Sequence, residues 1–166
     1  MASRYPHEDA ARLYDSFGAQ LFRYALMLLG QREAAEDVIQ QVFVALLDRG
    51  TGHVMDPQGY LRAAVRNACY SQLRSGRVRD AGTASAEDIL EARPDTPTPL
   101  SAEDRLALQA GILALPPEQR EVIHLHVFEG LTFKEVAAAT GEPPNTVASR
   151  YRYALGKLRA EFLGLS

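Results

Sequence analysis

The segment 130–150 constrains the fold most, because its residues specify two helices joined by a tight turn. Thr132 and Glu135 have the T-x-x-E spacing of a capping box, which starts a helix. Gly141 can adopt the left-handed backbone conformation that ends a helix, and Pro143-Pro144 prevents that helix from continuing. The segment therefore predicts a helix-turn-helix motif.

The second helix of this motif is expected to begin with Asn145 as its cap. In such motifs the N-terminal residues of the second helix contact base edges in the DNA major groove. The candidate DNA-binding residues are Asn145, Thr146, Ser149, Arg150, Arg152 and Tyr153. The residues predicted to pack inward are Val147, Tyr151, Ala154, Leu155 and Leu158. The alternative, an ordinary C-terminal helix of a bundle, requires the caps, the glycine, the proline pair and the arginines to coincide by chance.

The chain as a whole is predicted to be all-α, because no strand-period alternation of useful length is present. Helical patterns cover 9–29, 32–48 and 58–74, and then 101–115, 117–128 and the two helices of the motif. We expect a three-helix N-terminal domain over residues 1–78 and a four-helix C-terminal domain over residues 101–166. Residues 79–100 are rich in acids, Ser, Thr and Pro, which is typical of a flexible linker.

A second cationic face is predicted on the helix at 58–74. Its members are Arg62, Arg66, Asn67, Tyr70, Arg74 and Arg77. Guanidinium groups pair with phosphates, and a tyrosine ring can stack on an unpaired base. This combination favours single-stranded or melting DNA over an intact duplex. The alternative interpretation is a solvated basic face that binds nothing.

Composition narrows the classes of function further. The net charge of -3 is not the basic balance of a simple DNA-binding protein, so the cationic residues matter through their clustering. A single Cys excludes an internal disulfide framework and favours a cytoplasmic protein, and no segment is apolar and long enough to span a membrane. His124 and His126 would point about 200° apart on an α-helix, so no metal site is predicted. No motif for an enzyme or a cofactor is present.

Together these features resemble the bacterial extracytoplasmic-function sigma factors, the small two-domain class of transcription initiation factors. The resemblance rests on blocks at 34–43, 59–74 and 115–159. It implies that the first block binds core RNA polymerase, the second melts and reads the downstream promoter element, and the third reads the upstream element. The residues implied to bind polymerase are Asp37, Gln40, Gln41 and Phe43. A flipped promoter base would be captured near the loop 49–57, and an anti-sigma factor is implied as a further partner.

Some positions depart from the pattern of that family. An acid is frequent where Gln41 stands, Trp where Tyr60 stands and Asp where Ser71 stands, and basic residues are common at Ala148 and Tyr153. Two alternatives therefore stay open at this point. One is a DNA-binding regulator that uses only the helix-turn-helix, and the other is a sigma-like protein that binds polymerase or a regulator without starting transcription.

Overall fold

The computed structural model describes residues 6–52, 54–76 and 101–162, and within them it contains helices and no strand. The elements are α1 (Pro6–Leu29), α2 (Arg32–Arg49), α3 (Pro57–Ser75), α4 (Ala102–Leu113), α5 (Pro117–Ile123), a π-helical turn (His124–Phe128), α6 (Phe133–Thr140) and α7 (Pro144–Phe162). The π-helical turn continues α5, so within these described ranges three helices are followed by four, as predicted. The predicted linker 79–100 and the candidate residue Arg77 lie outside the described residues.

The N-terminal helices form as their apolar patterns predict. The buried side of α2 consists of Ala35, Val38, Ile39, Val42, Phe43 and Leu46. α3 begins where Asp56 accepts a hydrogen bond from the backbone N–H of Gly59, with Pro57 at the first helical position. Its buried residues Leu61, Val65 and Cys69 belong to the hydrophobic core, and α3 packs against both α1 and α2.

The helix-turn-helix comprises α6 and α7, and both of its predicted boundary signals are present. Thr132 Oγ1 accepts from the N–H of Glu135 at 3.1 Å, and Glu135 Oε1 accepts from the N–H of Thr132 at 3.0 Å. Gly141 has a φ of 74°, the left-handed conformation that ends α6. The prediction that Asn145 caps α7 is wrong. The helix begins at Pro144, because the carbonyl of Pro143 already accepts the first helical hydrogen bond, from Val147.

An aromatic cluster fixes the motif to the preceding π-helical turn. The ring of His126 lies 4.5 Å from that of Phe133 and 4.9 Å from that of Tyr151, measured between centroids. Its Nδ1 lies 2.7 Å from the carbonyl oxygen of Leu131, so the ring is held by hydrogen bonding as well as by packing. One histidine therefore joins the end of the π turn, α6 and α7.

The two halves of the molecule pack together through α1. Residues 24–29 of this helix are all buried, so its C-terminal part is enclosed on every side. α1 contacts α2 and α3 within the N-terminal half and α5 within the C-terminal half. The buried residues of both halves form one continuous hydrophobic core.

We predict that two glycine-to-alanine substitutions in the C-terminal half shift stability in opposite directions. Gly141→Ala should lower the free energy of unfolding by about 1–2 kcal/mol, because the new Cβ must adopt a left-handed backbone. Gly156→Ala should raise it by up to about 1 kcal/mol, because Gly156 is exposed within α7 and nothing lies near its added Cβ. Urea unfolding followed by circular dichroism measures both. Shifts of the same sign would contradict this account of the turn.

Candidate nucleic-acid interface and interdomain contact

The candidate DNA-binding residues of α7 lie in its first turns on a surface that is open to solvent. Asn145, Arg152 and Tyr153 are exposed, and Thr146, Ser149 and Arg150 are half-buried. Val147 and Ala154 are fully buried on the opposite side, as the sequence predicts. The polar and cationic side chains therefore form one accessible row.

Both arginines in this row are held by neighbouring side chains. Arg150 Nη2 lies 3.5 Å from Glu142 Oε1, which joins the start of α7 to the turn before it. Arg152 Nη2 donates to Ser149 Oγ at 3.2 Å. These contacts restrict the rotamers of both guanidinium groups, which lowers the entropy lost when they bind a ligand.

The candidate polymerase-binding residues of α2 differ in accessibility. Asp37, Gln40 and Gln41 are exposed, whereas Phe43 is only 8% exposed. The ring of Phe43 makes an edge-on contact with Tyr14, with 5.2 Å between centroids. Phe43 and Gln40 border an open groove between α1 and α2. Because Phe43 is largely buried, only a small part of its ring reaches this groove.

Part of the cationic face of α3 is covered by the C-terminal half. Arg66 makes two hydrogen bonds to Glu121 of α5, from Nε to Oε2 at 3.0 Å and from Nη2 to Oε1 at 3.2 Å. Tyr70 donates its hydroxyl proton to Glu121 Oε1 at 3.0 Å. The guanidinium of Arg66 also lies over the Tyr70 ring, 4.6 Å from its centroid. Glu121 is therefore the common hydrogen-bond acceptor of Arg66 and Tyr70.

Glu121 is fully buried and receives a further hydrogen bond from α1. The Tyr24 hydroxyl donates to Glu121 Oε2. Burial first, and then the adjacent Glu121, hold the pKa of Tyr24 well above its usual range, and the same two causes raise the pKa of Tyr70. Both hydroxyls therefore keep their protons. Burial alone would lower the pKa of Arg66, but Glu121 outweighs it and raises that pKa, so the guanidinium stays charged. We name this group the Glu121 contact.

A second polar contact joins the end of the π-helical turn to α3. Glu129 Oε2 accepts from Arg62 Nη2 at 2.9 Å, and its other oxygen lies 3.1 Å from Nε2 of His124. Burial acts to raise the pKa of Glu129, but the hydrogen bonds and charges of His124 and Arg62 outweigh it, so the pKa is lowered. His124 also stacks on Tyr24 with 5.5 Å between ring centroids. We name this group the Glu129 contact.

Arg120 ties α5 to the end of α1 as well. Its side chain is fully buried, and Nη2 donates to the carbonyl of Leu28 at 3.0 Å. The last carbonyls of a helix lack partners within the helix and carry partial negative charge, so a cation is favourable there. Nη1 donates to the carbonyl of Leu113 at 3.3 Å, which links α4 to the same side chain.

The structure thus divides the predicted α3 site. Arg62, Arg66 and Tyr70 are gathered in the two interdomain contacts, whereas Asn67 and Arg74 are exposed. The acceptors Glu121 and Glu129 and the stacked pair Tyr24 and His124 are residues that sequence reasoning missed. Two signals could have indicated them. The run from Tyr24 to Leu29 is too uniformly apolar for a helix with one packed side, and His124 stands inside the apolar run that follows Glu121.

Other candidates for chemistry remain structural. The described residues contain no group of His, Cys, Asp and Glu side chains that could hold a metal ion. Burial raises the pKa of the Cys69 thiol, so this cysteine is an unreactive core residue. Over the ranges that the structure describes, no helix is both long and apolar enough to cross a membrane.

Comparison with known proteins identifies both halves. Residues 13–79 match the family model for Sigma-70 region 2, and residues 105–158 match that for Sigma-70 region 4. The ECF RNA polymerase sigma factor SigL of Mycobacterium tuberculosis is 32% identical over 151 residues, covering 89% of this chain and 85% of SigL. RpoE of Cereibacter sphaeroides is 29% identical, covering 92% of this chain and 87% of RpoE.

A solved structure also shares the fold. The sigma factor RpoE of Bartonella quintana, crystallised with the anti-sigma factor NepR, aligns with a TM-score of 0.66 at 23% identity. The alignment covers 96% of this chain and 99% of that one. It therefore includes the helices of both halves.

The helix-turn-helix, the helical N-terminal half and the two family matches define a sigma-70-type transcription initiation factor, which is not an enzyme. More particularly, the chain belongs to the extracytoplasmic-function sigma factors of RNA polymerase. The resemblance inferred from the sequence is confirmed. A regulator using the helix-turn-helix alone is not favoured, because region 2 is also matched.

We predict that Tyr24→Phe destabilises the full chain by about 1.5–3 kcal/mol, because it removes a hydrogen bond to a buried carboxylate. Tyr14→Phe is the matched control, since the Tyr14 side chain is exposed and its ring contact with Phe43 is retained. The control should change the free energy of unfolding by less than about 0.5 kcal/mol. Denaturant unfolding measures both, and equal effects would argue against the importance of the Glu121 contact.

Proposed function

We propose that α7 reads the upstream promoter element through the row formed by Asn145, Thr146, Ser149, Arg150, Arg152 and Tyr153. The observation that carries this proposal is the accessible row at the start of the second helix of a helix-turn-helix, the part that enters the major groove in such motifs. Arginine can bind guanine through two parallel hydrogen bonds, and serine can bind base edges or phosphates. Ala148 and Tyr153 add no positive charge, so phosphate binding depends mainly on Arg150 and Arg152.

The downstream element is proposed to bind α3. Its ligands would be Arg62, Arg66, Asn67, Tyr70, Arg74 and Arg77. The support is their chemistry, since guanidinium groups bind phosphates and Tyr70 offers a ring for an unpaired base. The loop between α2 and α3, within 49–57, precedes this helix and is the proposed place for a flipped base.

Core RNA polymerase is proposed to bind the exposed side of α2. Asp37, Gln40 and Gln41 would make the direct contacts, because their side chains are accessible. Phe43 would act mainly by shaping the adjacent groove, because most of its ring is buried. The relatives are named as sigma factors of RNA polymerase, which supports this partner.

The proposed division of labour follows the domains. Residues 1–78 would bind polymerase and the downstream element, residues 79–100 would form the acidic linker, and residues 101–166 would bind the upstream element. We propose a cytoplasmic location, where the polymerase is found. An anti-sigma factor is a proposed partner because the structural neighbour from Bartonella quintana was solved with one.

Transcription in vitro tests the proposal as a whole. The full chain would be combined with purified core polymerase and a library of genomic promoter fragments, and the transcripts would be sequenced. We expect initiation at a subset of fragments that share two elements. Absence of initiation above core polymerase alone would reject the proposal.

We predict that the double variant Arg150→Ala/Arg152→Ala weakens holoenzyme binding to a recovered promoter by about tenfold or more. The logarithmic salt slope should fall by about two, because two phosphate contacts are removed. Lys157→Ala/Arg159→Ala removes the same charge from the C-terminal end of α7 and should have a smaller effect. Binding titrations across salt concentrations measure this, and equal losses would indicate that the first turns do not lead into the groove.

We predict that Asp37→Lys weakens binding to core polymerase by about tenfold or more, because a charge of the wrong sign enters the proposed interface. Asp48→Lys makes the same charge change about 16 Å further along α2, and it should bind almost as the wild type does. Both residues are exposed, so folding should be preserved. Fluorescence polarisation with labelled sigma factor measures the affinity for core polymerase. Equal affinities of the two variants would show that this face of α2 is not the polymerase-binding surface.

A further inference from the structure

We propose that the two interdomain contacts hold the free chain in a closed state in which Glu121 and Glu129 occupy the positions of DNA phosphates on α3. The proposal rests on the proposed function of α3 in binding the downstream element. Its direct consequence is competition, because the same guanidinium groups cannot bind the C-terminal half and the promoter strand together.

The geometry of the Glu121 contact supports this. Arg66 binds both carboxylate oxygens, which is how arginine binds a phosphate group as well. Tyr70 donates to one of the same oxygens, as a hydroxyl can to a phosphate oxygen. The carboxylate therefore satisfies the donors that the proposed DNA site offers.

The π-helical turn brings the second carboxylate onto the same side. Eight residues of α-helix rotate by about 800°, which would leave Glu129 about 80° away from Glu121 around the axis. The turn is closed instead by a hydrogen bond from the N–H of Glu129 to the carbonyl of His124, a spacing of five residues. Because this wider turn takes about one more residue, the offset shrinks to about 20°. Both carboxylates can then face α3.

Burial makes the competition exclusive. The side chains of Arg62 and Arg66 are 14% and 19% exposed, and those of Glu129 and Glu121 are 6% and 0% exposed. A DNA strand cannot reach these arginines unless the C-terminal half moves away. Arg74 and Asn67 stay exposed, so the closed state retains only part of the proposed DNA site.

The test uses the full chain with Glu121→Gln/Glu129→Gln, which removes both negative charges and leaves similar side-chain volumes. Dyes on cysteines introduced at the exposed positions Val44 and Lys157 report the separation of the halves by energy transfer. Binding to short, random-sequence single-stranded DNA is titrated by fluorescence polarisation. Glu33→Gln/Glu36→Gln removes the same charge from the exposed surface of α2 and is the matched control.

We expect the double variant to show lower energy transfer and about tenfold or tighter binding to single-stranded DNA, because affinity scales with the fraction of chains in the competent state. The control should match the wild type in both measurements. Unchanged energy transfer, or opening without tighter binding, would overturn the proposal. Circular dichroism checks folding, and Glu129→Gln alone provides a milder variant that should shift both measurements in the same direction.

Arg74→Ala in the open variant separates the two proposals, because Arg74 lies outside both contacts. Suppose that Arg74→Ala weakens DNA binding but Glu121→Gln/Glu129→Gln does not strengthen it. Then α3 does bind DNA, and only the proposed closed state is refuted. If neither change affects DNA binding, the proposed function of α3 fails. If opening strengthens binding and Arg74→Ala weakens it, both proposals are supported.

Discussion

The buried carboxylate of Glu121 is the interaction on which the arrangement of the two halves depends. Taking a charge out of water costs several kcal/mol, and only good geometry with additional hydrogen bonds offsets that cost. Here Arg66 supplies the opposite charge, and Tyr24 and Tyr70 supply further donors. The four side chains come from three helices, α1, α3 and α5. One acceptor therefore joins α5 to both α1 and α3.

Such a group contributes more to specificity than to net stability. Apolar side chains of the same shape would hold the halves together at least as well, but they would tolerate many relative orientations. A carboxylate with directional donors is satisfied in one arrangement only. The Glu129 contact attaches the same helix to α3 at a second position. Two attachments along α5 and its π-helical turn fix the orientation of this helix as well as its position.

The sequence predicted the local structure well because caps and apolar stripes act over a few residues. Thr132, Glu135 and Gly141 bounded α6 correctly, since each acts through hydrogen bonds or backbone conformation within one turn. The predicted start of α7 is two residues too late, because Asn145 is a favourable cap residue but Pro144 occupies the first helical position, which proline prefers. The candidate row on α7 was predictable because helical spacing alone decides which side is exposed.

The interdomain contacts were not predictable in the same way. Tyr24 and Glu121 are 97 residues apart, and no periodicity relates them. Helical spacing predicts that the cationic residues of α3 share one face, but whether that face meets water, DNA or the rest of the chain depends on long-range packing. The π-helical turn was also missed, because an α-helical pattern continues through it.

The enclosed end of α1 has a consequence for how such a chain behaves in a crowded solution. Residues 24–29 present apolar surface in every direction, and α5 covers one part of it. Separation of the halves uncovers that part, and exposed apolar patches promote self-association. In an opened chain this apolar surface therefore stays exposed until another macromolecule binds to it. We expect the solubility of such an opened chain to depend on this apolar surface of α1, which lies beside α3.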